Sequence, residues 1–312
     1  MTPLVRDWLA GRPFYGILPV YPSGVTALPR ELGHLQICSW SSSIGQIVPA
    51  VLAAAGIGAE NFRVFISYKR DDTRELAEQL FDALSKIQFD VFLDRFRIPP
   101  AANFQTRLRQ ELADKAMVVL LESARAARSD WIRLEVAYAR KHRLGLMAVT
   151  LPQAPPVRGI RDSMRERVSV DSAGCLLAGD LDRVCRRVQR EHQKAILRRR
   201  YFLRQAVARA LLWAGAATPS YGAGGPVRTG SGVPPWRGYS IWLTPRPAEL
   251  SDFHASHASR QAGERLVLIG PADALEPARR ASLDWLARQT GIAWEDEGRM
   301  LGVARRIARG TL

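Results

Sequence analysis

The stretch from residue 63 to residue 151 alternates short apolar runs with amphipathic segments, and this alternation constrains the fold more than any other feature of the chain. Short β-rich runs predict strands, whereas apolar residues that recur every three or four positions predict helices. Strands that alternate with helices join into right-handed βαβ units around a parallel sheet. The sequence therefore predicts a parallel α/β domain, whose ligand site lies beyond the carboxyl ends of the strands.

The individual elements of this domain can be placed from the same patterns. The predicted strands cover residues 63–68, 89–93, 117–121 and 144–151. The predicted helices cover residues 72–88, a segment that Asn103 caps, and residues 131–142. Asp71 or Asp72 is expected to cap the first helix, because a carboxylate can accept hydrogen bonds from the first free backbone N–H groups. The loop after the second strand contains Pro99 and Pro100, which stop a helix there.

Three motifs stand out in this stretch: FISYKRDD at residues 65–72, VFLD at residues 91–94 and SDWIRLE at residues 129–135. All three resemble motifs of the TIR family. The first resembles the family's opening box, the second its second strand and the following BB loop, and the third its Ser-x-Trp-x-x-x-Glu signature. The resemblance implies a flavodoxin-like α/β domain with a parallel sheet. Glu122, which ends the third strand, departs from many relatives. It is either a second carboxylate near the site or a surface residue, and the surface position is favoured.

The TIR family contains scaffolds that self-associate and enzymes that cleave NAD+ at the nicotinamide–ribose bond. The enzymes use the glutamate of the third motif, which corresponds to Glu135, and the motif's tryptophan corresponds to Trp131. The resemblance and the strand-end position together predict further substrate contacts at Phe65, Ser67, Tyr68, Lys69 and Arg70. Contacts of the BB loop or between subunits are expected at Asp94, Phe96, Pro99 and Pro100.

The chemistry of NAD+ cleavage explains why one carboxylate can be enough. Nicotinamide leaves as a neutral ring, so the leaving group needs no general acid, unlike that of an ordinary glycoside. A carboxylate beside the ribose stabilises the positive charge that develops there. Tyr68 or Trp131 could stack on a substrate ring, and Lys69 and Arg70 could meet the pyrophosphate. The expected products are nicotinamide with ADP-ribose or a cyclic isomer, and NAD+ is a substrate, with no separate cofactor or metal.

The segments around this domain are less regular. We predict an N-terminal α/β segment at 1–60, the TIR domain at 61–152, a loop and long basic helix at 153–214, a Gly/Pro-rich linker at 215–238 and a C-terminal α/β segment at 239–312. We hypothesise that the first and last segments combine into one small α/β module. The basic helix, residues 181–213, either binds a polyanion or is simply solvated on its charged face. The second interpretation is favoured, with Val184, Val188, Ile196, Phe202 and Val207 packing inward.

Composition narrows the setting. The three cysteines are too few and too scattered for a disulfide framework or a zinc site, and Asp252, His254 and His257 form no full ligand set. No signal peptide or membrane span is expected, so a cytoplasmic protein without a membrane partner is predicted. The net charge of +15 favours polyanion contacts, although nucleic acid is not the favoured partner.

Three function classes remain. The leading hypothesis is a TIR-type NAD+ glycohydrolase that forms homo-oligomers or filaments through its TIR domains and acts in bacterial antiphage defence. In such effectors a neighbouring subunit's BB loop usually completes the site, and a nucleotide signal or a partner protein is the expected activator. The alternatives are a self-associating adaptor without catalysis and a nucleotide sensor with a TIR output. The presence of both Glu135 and Trp131 favours the enzyme.

Overall fold

The computed structural model describes residues 20–21, 38–39, 62–93, 110–221, 225–230, 238–272 and 275–312. The strands in these ranges are β1 Val20–Tyr21, β2 Cys38–Ser39, β3 Arg63–Ser67, β4 Asp90–Leu93, β5 Met117–Glu122, β6 Gly145–Thr150, β7 Arg165–Arg167, β8 Ser220–Tyr221, β9 Val227–Gly230, β10 Gly238–Leu243, β11 Glu264–Gly270 and β12 Ala293–Asp296. The α-helices are α1 Arg70–Lys86, α2 Asp130–Lys141, α3 Ala178–Trp213, α4 Leu250–Ala258, α5 Pro277–Thr290 and α6 Met300–Ala308. No helix in the described ranges is both long enough and apolar enough to cross a membrane.

The first large sheet contains five parallel strands in the order β4-β3-β5-β6-β7. This arrangement confirms the predicted parallel α/β fold, and its first four strands lie where the sequence predicts them. The fifth strand, β7, lies beyond residue 152, where we placed the end of the domain. Its sequence is Arg-Glu-Arg, so it has none of the apolar character from which strands are recognised.

Helices cover both faces of this sheet. On one face α1 and α3 pack Leu76, Leu80, Val184 and Val188, all fully buried, against the strands. On the other face α2 packs Ile132 and Val136. Full burial of one such side chain is worth about 1.5–3 kcal/mol, so these contacts hold the layers together.

Helix α3 is shared between the two sheets of the molecule. Its first half packs on the first sheet, whereas Val207 and Leu211 near its end belong to the core of the second sheet. Val184, Val188, Ile196 and Val207 are buried as predicted, but Phe202 is 46% exposed, so its predicted inward packing is wrong.

The second sheet has the strand order β12-β11-β10-β9-β8. Strands β10, β11 and β12 are parallel, and β9 and β8 extend the sheet in antiparallel fashion. Strands β8 and β9 lie inside the stretch that we interpreted as a linker. The glycines and prolines of this stretch suggest a loop, but β9 buries Val227. The hydroxyl of Thr229 in the same strand donates a hydrogen bond to the backbone oxygen of Ala217.

The hypothesis that residues 1–60 join the C-terminal segment falls largely outside the described residues. Within residues 1–60 the structure describes two short strands, β1 and β2, which pair with each other in parallel. The second sheet instead draws on α3. Ion pairs between described residues connect it to the first sheet and its surroundings: Arg63 binds Glu249 at 2.8 Å, and Arg279 binds Asp114 at 2.8 Å.

Candidate active site

Helix α2 carries the two residues on which the predicted chemistry depends. Ser129 caps the helix, because its Oγ accepts a hydrogen bond from the backbone N–H of Ile132 at 3.4 Å. Asp130 in the first turn and Arg140 and Lys141 in the last turn complement the helix dipole. The serine of the third motif therefore fixes where the helix begins. Trp131 and Glu135 are four residues apart, so the helix places them on one face, one turn from each other.

A hydrogen bond joins Glu135 to the end of strand β3. The hydroxyl of Ser67, the last residue of β3, donates to Oε2 of Glu135. Both side chains are almost completely buried, with 1% of Ser67 and 5% of Glu135 exposed. A carboxylate is costly to bury unless hydrogen bonds stabilise it, and the Ser67 hydroxyl supplies such a bond. The carboxylate is thereby held at the carboxyl edge of the parallel sheet, where ligands bind in folds of this kind.

Aromatic side chains support this arrangement from below. Phe65 is 1% exposed and stacks on Phe92, with ring centroids 5.1 Å apart. Trp131 is half-buried and packs against this cluster. Phe65 is therefore a core residue that supports Trp131, whereas Trp131, one helical turn from Glu135, is only partly covered.

The side chains that follow Ser67 at this strand end point in different directions; they belong to Tyr68, Lys69 and Arg70. Successive side chains of a strand point to opposite faces. Phe65 and Ser67 face α2, whereas Tyr68 packs against the core on the side of α1 and α3. Lys69 immediately precedes α1 and lies 4.0 Å from the carboxylate of Asp71, and Arg70 is exposed at the first position of the helix. The structure thus brings Ser67, Trp131 and Glu135 together and places Tyr68 on the other side of the sheet.

A second polar cluster, which the sequence did not reveal, forms the rim of this edge. The carboxylate of Asp72 accepts hydrogen bonds from the Ser123 hydroxyl at 2.7 Å and from the Arg125 backbone N–H at 3.1 Å. The Arg125 guanidinium donates to the same carboxylate. Neither Asp71 nor Asp72 caps α1, since the residue that precedes the helix is Lys69 and no side chain caps it. Asp72 instead ties the start of α1 to the loop after β5.

Burial alone would raise the pKa of Asp72, but the hydrogen bonds from Ser123 and Arg125 and the charge of Arg125 outweigh it and hold the pKa below its ordinary value. The ionised form therefore stabilises the fold, and this contribution is complete above the ordinary pKa and is lost as the pH falls through the lowered one.

We expect Asp72→Asn to cost about 1 kcal/mol at neutral pH, the usual net value of one hydrogen bond. Urea unfolding measured from about pH 7 to about pH 3 should show this cost shrinking towards zero. Asp71→Asn, at a largely exposed carboxylate, is the control, and a cost that does not change with pH would contradict the assignment.

Glu122 is not at the surface, and that expectation is wrong. It is fully buried at the end of β5, where its carboxylate binds Arg165 Nε at 3.1 Å and accepts a hydrogen bond from Thr150 Oγ1 at 2.7 Å. The backbone N–H of Val157 donates to its other oxygen at 2.8 Å. Its burial could not be foreseen from the sequence, because its partner Arg165 is 43 residues away, in strand β7. Glu122 therefore holds the sheet edge together and does not form a second carboxylate of the site.

Other predicted sites fall outside this arrangement. Asp94, Phe96, Pro99 and Pro100 lie outside the described residues. Asp252 accepts hydrogen bonds from Arg246 and from the backbone N–H of Glu249, and it contributes to the start of α4. Within the part of the chain that the structure describes, no group of three or more His, Cys, Asp or Glu side chains is placed to hold a metal ion.

Among solved structures, the chain is similar to the TIR domains in the activated Roq1 resistosome, described as directly recognizing the pathogen effector XopQ. The identity is 23% and the TM-score 0.27, and the match covers 29% of this chain and 57% of that one. The matched part therefore spans little more than half of that chain. No curated protein matches the sequence at a significant level.

A family model described as the TIR domain matches residues 64–174. The matched range begins in β3, contains α2 with Glu135, and continues past β7, so it covers the whole first sheet. It also extends beyond residue 152, where we placed the end of the domain. The sheet, the three motifs and this match together identify residues 64–174 of the chain as a TIR domain.

Proposed function

We propose that the TIR domain cleaves NAD+ at the bond between nicotinamide and ribose, with Glu135 as its catalytic carboxylate. The observation that carries this proposal is the buried hydrogen bond between Ser67 and Glu135 at the carboxyl edge of the sheet. A glutamate whose only task is solubility would lie on the solvated face of α2, as Arg133 and Arg140 do. Glu135 points instead towards the sheet, in a position where its charge can act on a ligand.

The proposed reaction needs little more than a well-placed negative charge. The bond between C1′ of the ribose and the nicotinamide nitrogen breaks, and its electron pair returns to the ring, which leaves uncharged. Glu135 stabilises the positive charge that this leaves on the ribose. Water then adds to C1′ and releases a proton, which gives ADP-ribose. Attack by an adenine nitrogen or a hydroxyl of the same molecule gives a cyclic isomer instead.

Neighbouring side chains suit two parts of such a substrate, an aromatic ring and the pyrophosphate. The half-buried ring of Trp131, one helical turn from Glu135, offers an aromatic surface for stacking on nicotinamide or adenine. Lys69 and Arg70 begin α1 at the same edge, where positive side chains can meet a pyrophosphate. Tyr68 faces the other side of the sheet, so we assign the stacking role to Trp131.

We further propose that activity depends on self-association and that the protein acts as an effector in bacterial antiphage defence. This part rests on the resemblance to TIR effectors, in which the BB loop of a neighbouring copy completes the site. If it holds, the specific activity should rise with protein concentration, because the active form is an assembly.

The proposal is tested by incubating the purified chain with NAD+ over a wide range of protein concentrations. Chromatography should show nicotinamide released together with an equal amount of ADP-ribose or its cyclic isomer, and the rate per molecule should increase as the protein assembles. A protein that demonstrably assembles and still leaves NAD+ intact would contradict the proposal and favour the adaptor.

A further inference from the structure

The long helix α3 exposes an unusual combination of side chains in its second half. Trp213 is 85% exposed, Tyr201 59%, and Phe202 46%. Two arginines, Arg198 and Arg209, are exposed along the same part of the helix. We call this surface the α3 face, and it consists of Leu197, Arg198, Tyr201, Phe202, Arg209, Leu212 and Trp213. Exposed aromatic rings gain nothing in water, so their concentration on one helix indicates a partner.

The chain segment that carries this surface contains no acidic residue, although Glu297 binds Arg199 on a neighbouring side of the helix. From residue 192 to residue 248 the sequence contains nine Lys or Arg residues and not one Asp or Glu. A further cation comes from the turn after α2, where the guanidinium of Arg143 lies 5.2 Å from the centroid of the Phe202 ring. The α3 face therefore combines positive charge with flat aromatic rings, which is complementary to a polyanion that also has rings to stack.

The order of the side chains around the helix separates two kinds of polyanion. On an ideal helix, which turns about 100° per residue, Arg198 and Arg209 point within about 20° of each other. Tyr201 then lies about 60–80° to one side of them, and Trp213 lies about 40–60° to the other side. A helix that lies on a membrane has the opposite arrangement, with apolar side chains in the middle and cations at the margins. A second copy of the same face is disfavoured as the partner, because its Arg198 and Arg209 would repel Arg198 and Arg209 of the first copy.

We propose that the α3 face binds single-stranded nucleic acid. The central arginines contact the phosphates, and Tyr201, Phe202 and Trp213 stack on bases that are not engaged in pairing. The face extends for about 24 Å along the helix, enough for several nucleotides. This surface lies outside residues 64–174 and uses neither Ser67 nor Glu135, so the inference stands independently of NAD+ cleavage.

The test is a titration of the full chain with fluorescein-labelled oligo(dT) and oligo(U) of about twelve nucleotides, followed by fluorescence anisotropy at several salt concentrations. Arg198→Gln/Arg209→Gln should weaken binding at least about tenfold and reduce the slope of log K against log salt by about 1.4, because two phosphate contacts are lost. Tyr201→Ala/Trp213→Ala should also weaken binding at least about tenfold but leave the salt slope unchanged, because stacking releases no counterions.

A matched control lies on α5. Trp285 is 54% exposed there and Arg288 is exposed one turn later, on the side of the second sheet away from α3. Trp285→Ala/Arg288→Gln should bind as tightly as the parent chain. Loss of binding in this control equal to that in the α3 variants would overturn the proposal. So would a parent chain that ignores both oligonucleotides, whether or not it binds vesicles that contain anionic lipid.

Discussion

Replacing Glu122 with glutamine is expected to lower the free energy of unfolding by about 3–5 kcal/mol. The reason is the guanidinium of Arg165, which is 7% exposed and would keep, among the described residues, only the carboxylate of Asp162, itself 74% exposed and 3.6 Å away, as a counter-charge. Its other hydrogen bonds go to the backbone oxygens of Val157 and Ile160, each at 2.9 Å, and these cannot neutralise it. Since the stability of a domain is about 5–15 kcal/mol, urea unfolding should detect this loss without difficulty.

Two further variants separate this effect from general damage. Asp130→Asn removes a carboxylate from an exposed ion pair with Arg133 and should cost no more than about 1 kcal/mol. Glu122→Gln leaves the buried guanidinium of Arg165 without its main partner. Adding Arg165→Met removes that positive charge, so the double variant should recover most of the lost stability. If the double variant were less stable than Glu122→Gln alone, the unpaired charge would not be the cause.

The fold of the TIR domain could be predicted because its signals are local. Strand β5 is a continuous apolar run, and Leu76, Leu80 and Leu84 recur on one face of α1, so both elements are visible in short windows of sequence. Strand β7 and strands β8 and β9 were not predicted. They are short and polar or rich in glycine, and their neighbours in the sheet, rather than their own composition, determine that they are strands.

The candidate site could be predicted only in part, and for a related reason. The spacing of Trp131 and Glu135 is a property of one helix, so it was readable from the third motif. The partners of these residues are not local. Ser67 reaches Glu135 across 68 residues of sequence, and Asp72 reaches Ser123 across 51. Period-two alternation along β3 also shows in retrospect that Ser67 and Tyr68 cannot face the same side.

The α3 helix shows the same limit from the other direction. Its hydrophobic pattern predicts Phe202 in the core together with Val207, because both fit an amphipathic helix. In the structure Phe202 lies near the junction of the two sheets and is exposed beside Arg143. Which apolar residues of a long helix are covered depends on where its neighbours end, and this cannot be deduced from the helix itself.

Glu135→Gln is expected to reduce NAD+ cleavage by about a thousandfold, the scale of loss found when one preorganised electrostatic contact to a transition state is removed. Glutamine has nearly the same shape and can still accept the Ser67 hydrogen bond, so the fold should persist and the charge alone is lost. Glu75→Gln makes the same chemical change at an exposed position of α1 and should leave the rate unchanged.

Ser67→Ala probes the support of Glu135 separately. In the proposed reaction Ser67 is a positioning residue, because its hydroxyl donates a hydrogen bond to the carboxylate of Glu135 and takes no part in the bond cleavage. We expect kcat to fall about tenfold with little change in KM, since the carboxylate keeps its charge but loses its fixed orientation. An increase in KM at constant kcat would mean that Ser67 binds substrate instead.

The most direct measurement follows the bond itself. Proton NMR of NAD+ with assembled protein distinguishes the nicotinamide ring of intact NAD+ from released nicotinamide as the reaction proceeds. The parent chain, Glu135→Gln and Glu75→Gln are measured side by side. We predict steady release of nicotinamide by the parent chain and by Glu75→Gln, and almost none by a folded, assembled Glu135→Gln. Release by Glu135→Gln at the parent's rate would contradict the assignment of Glu135 as the catalytic carboxylate.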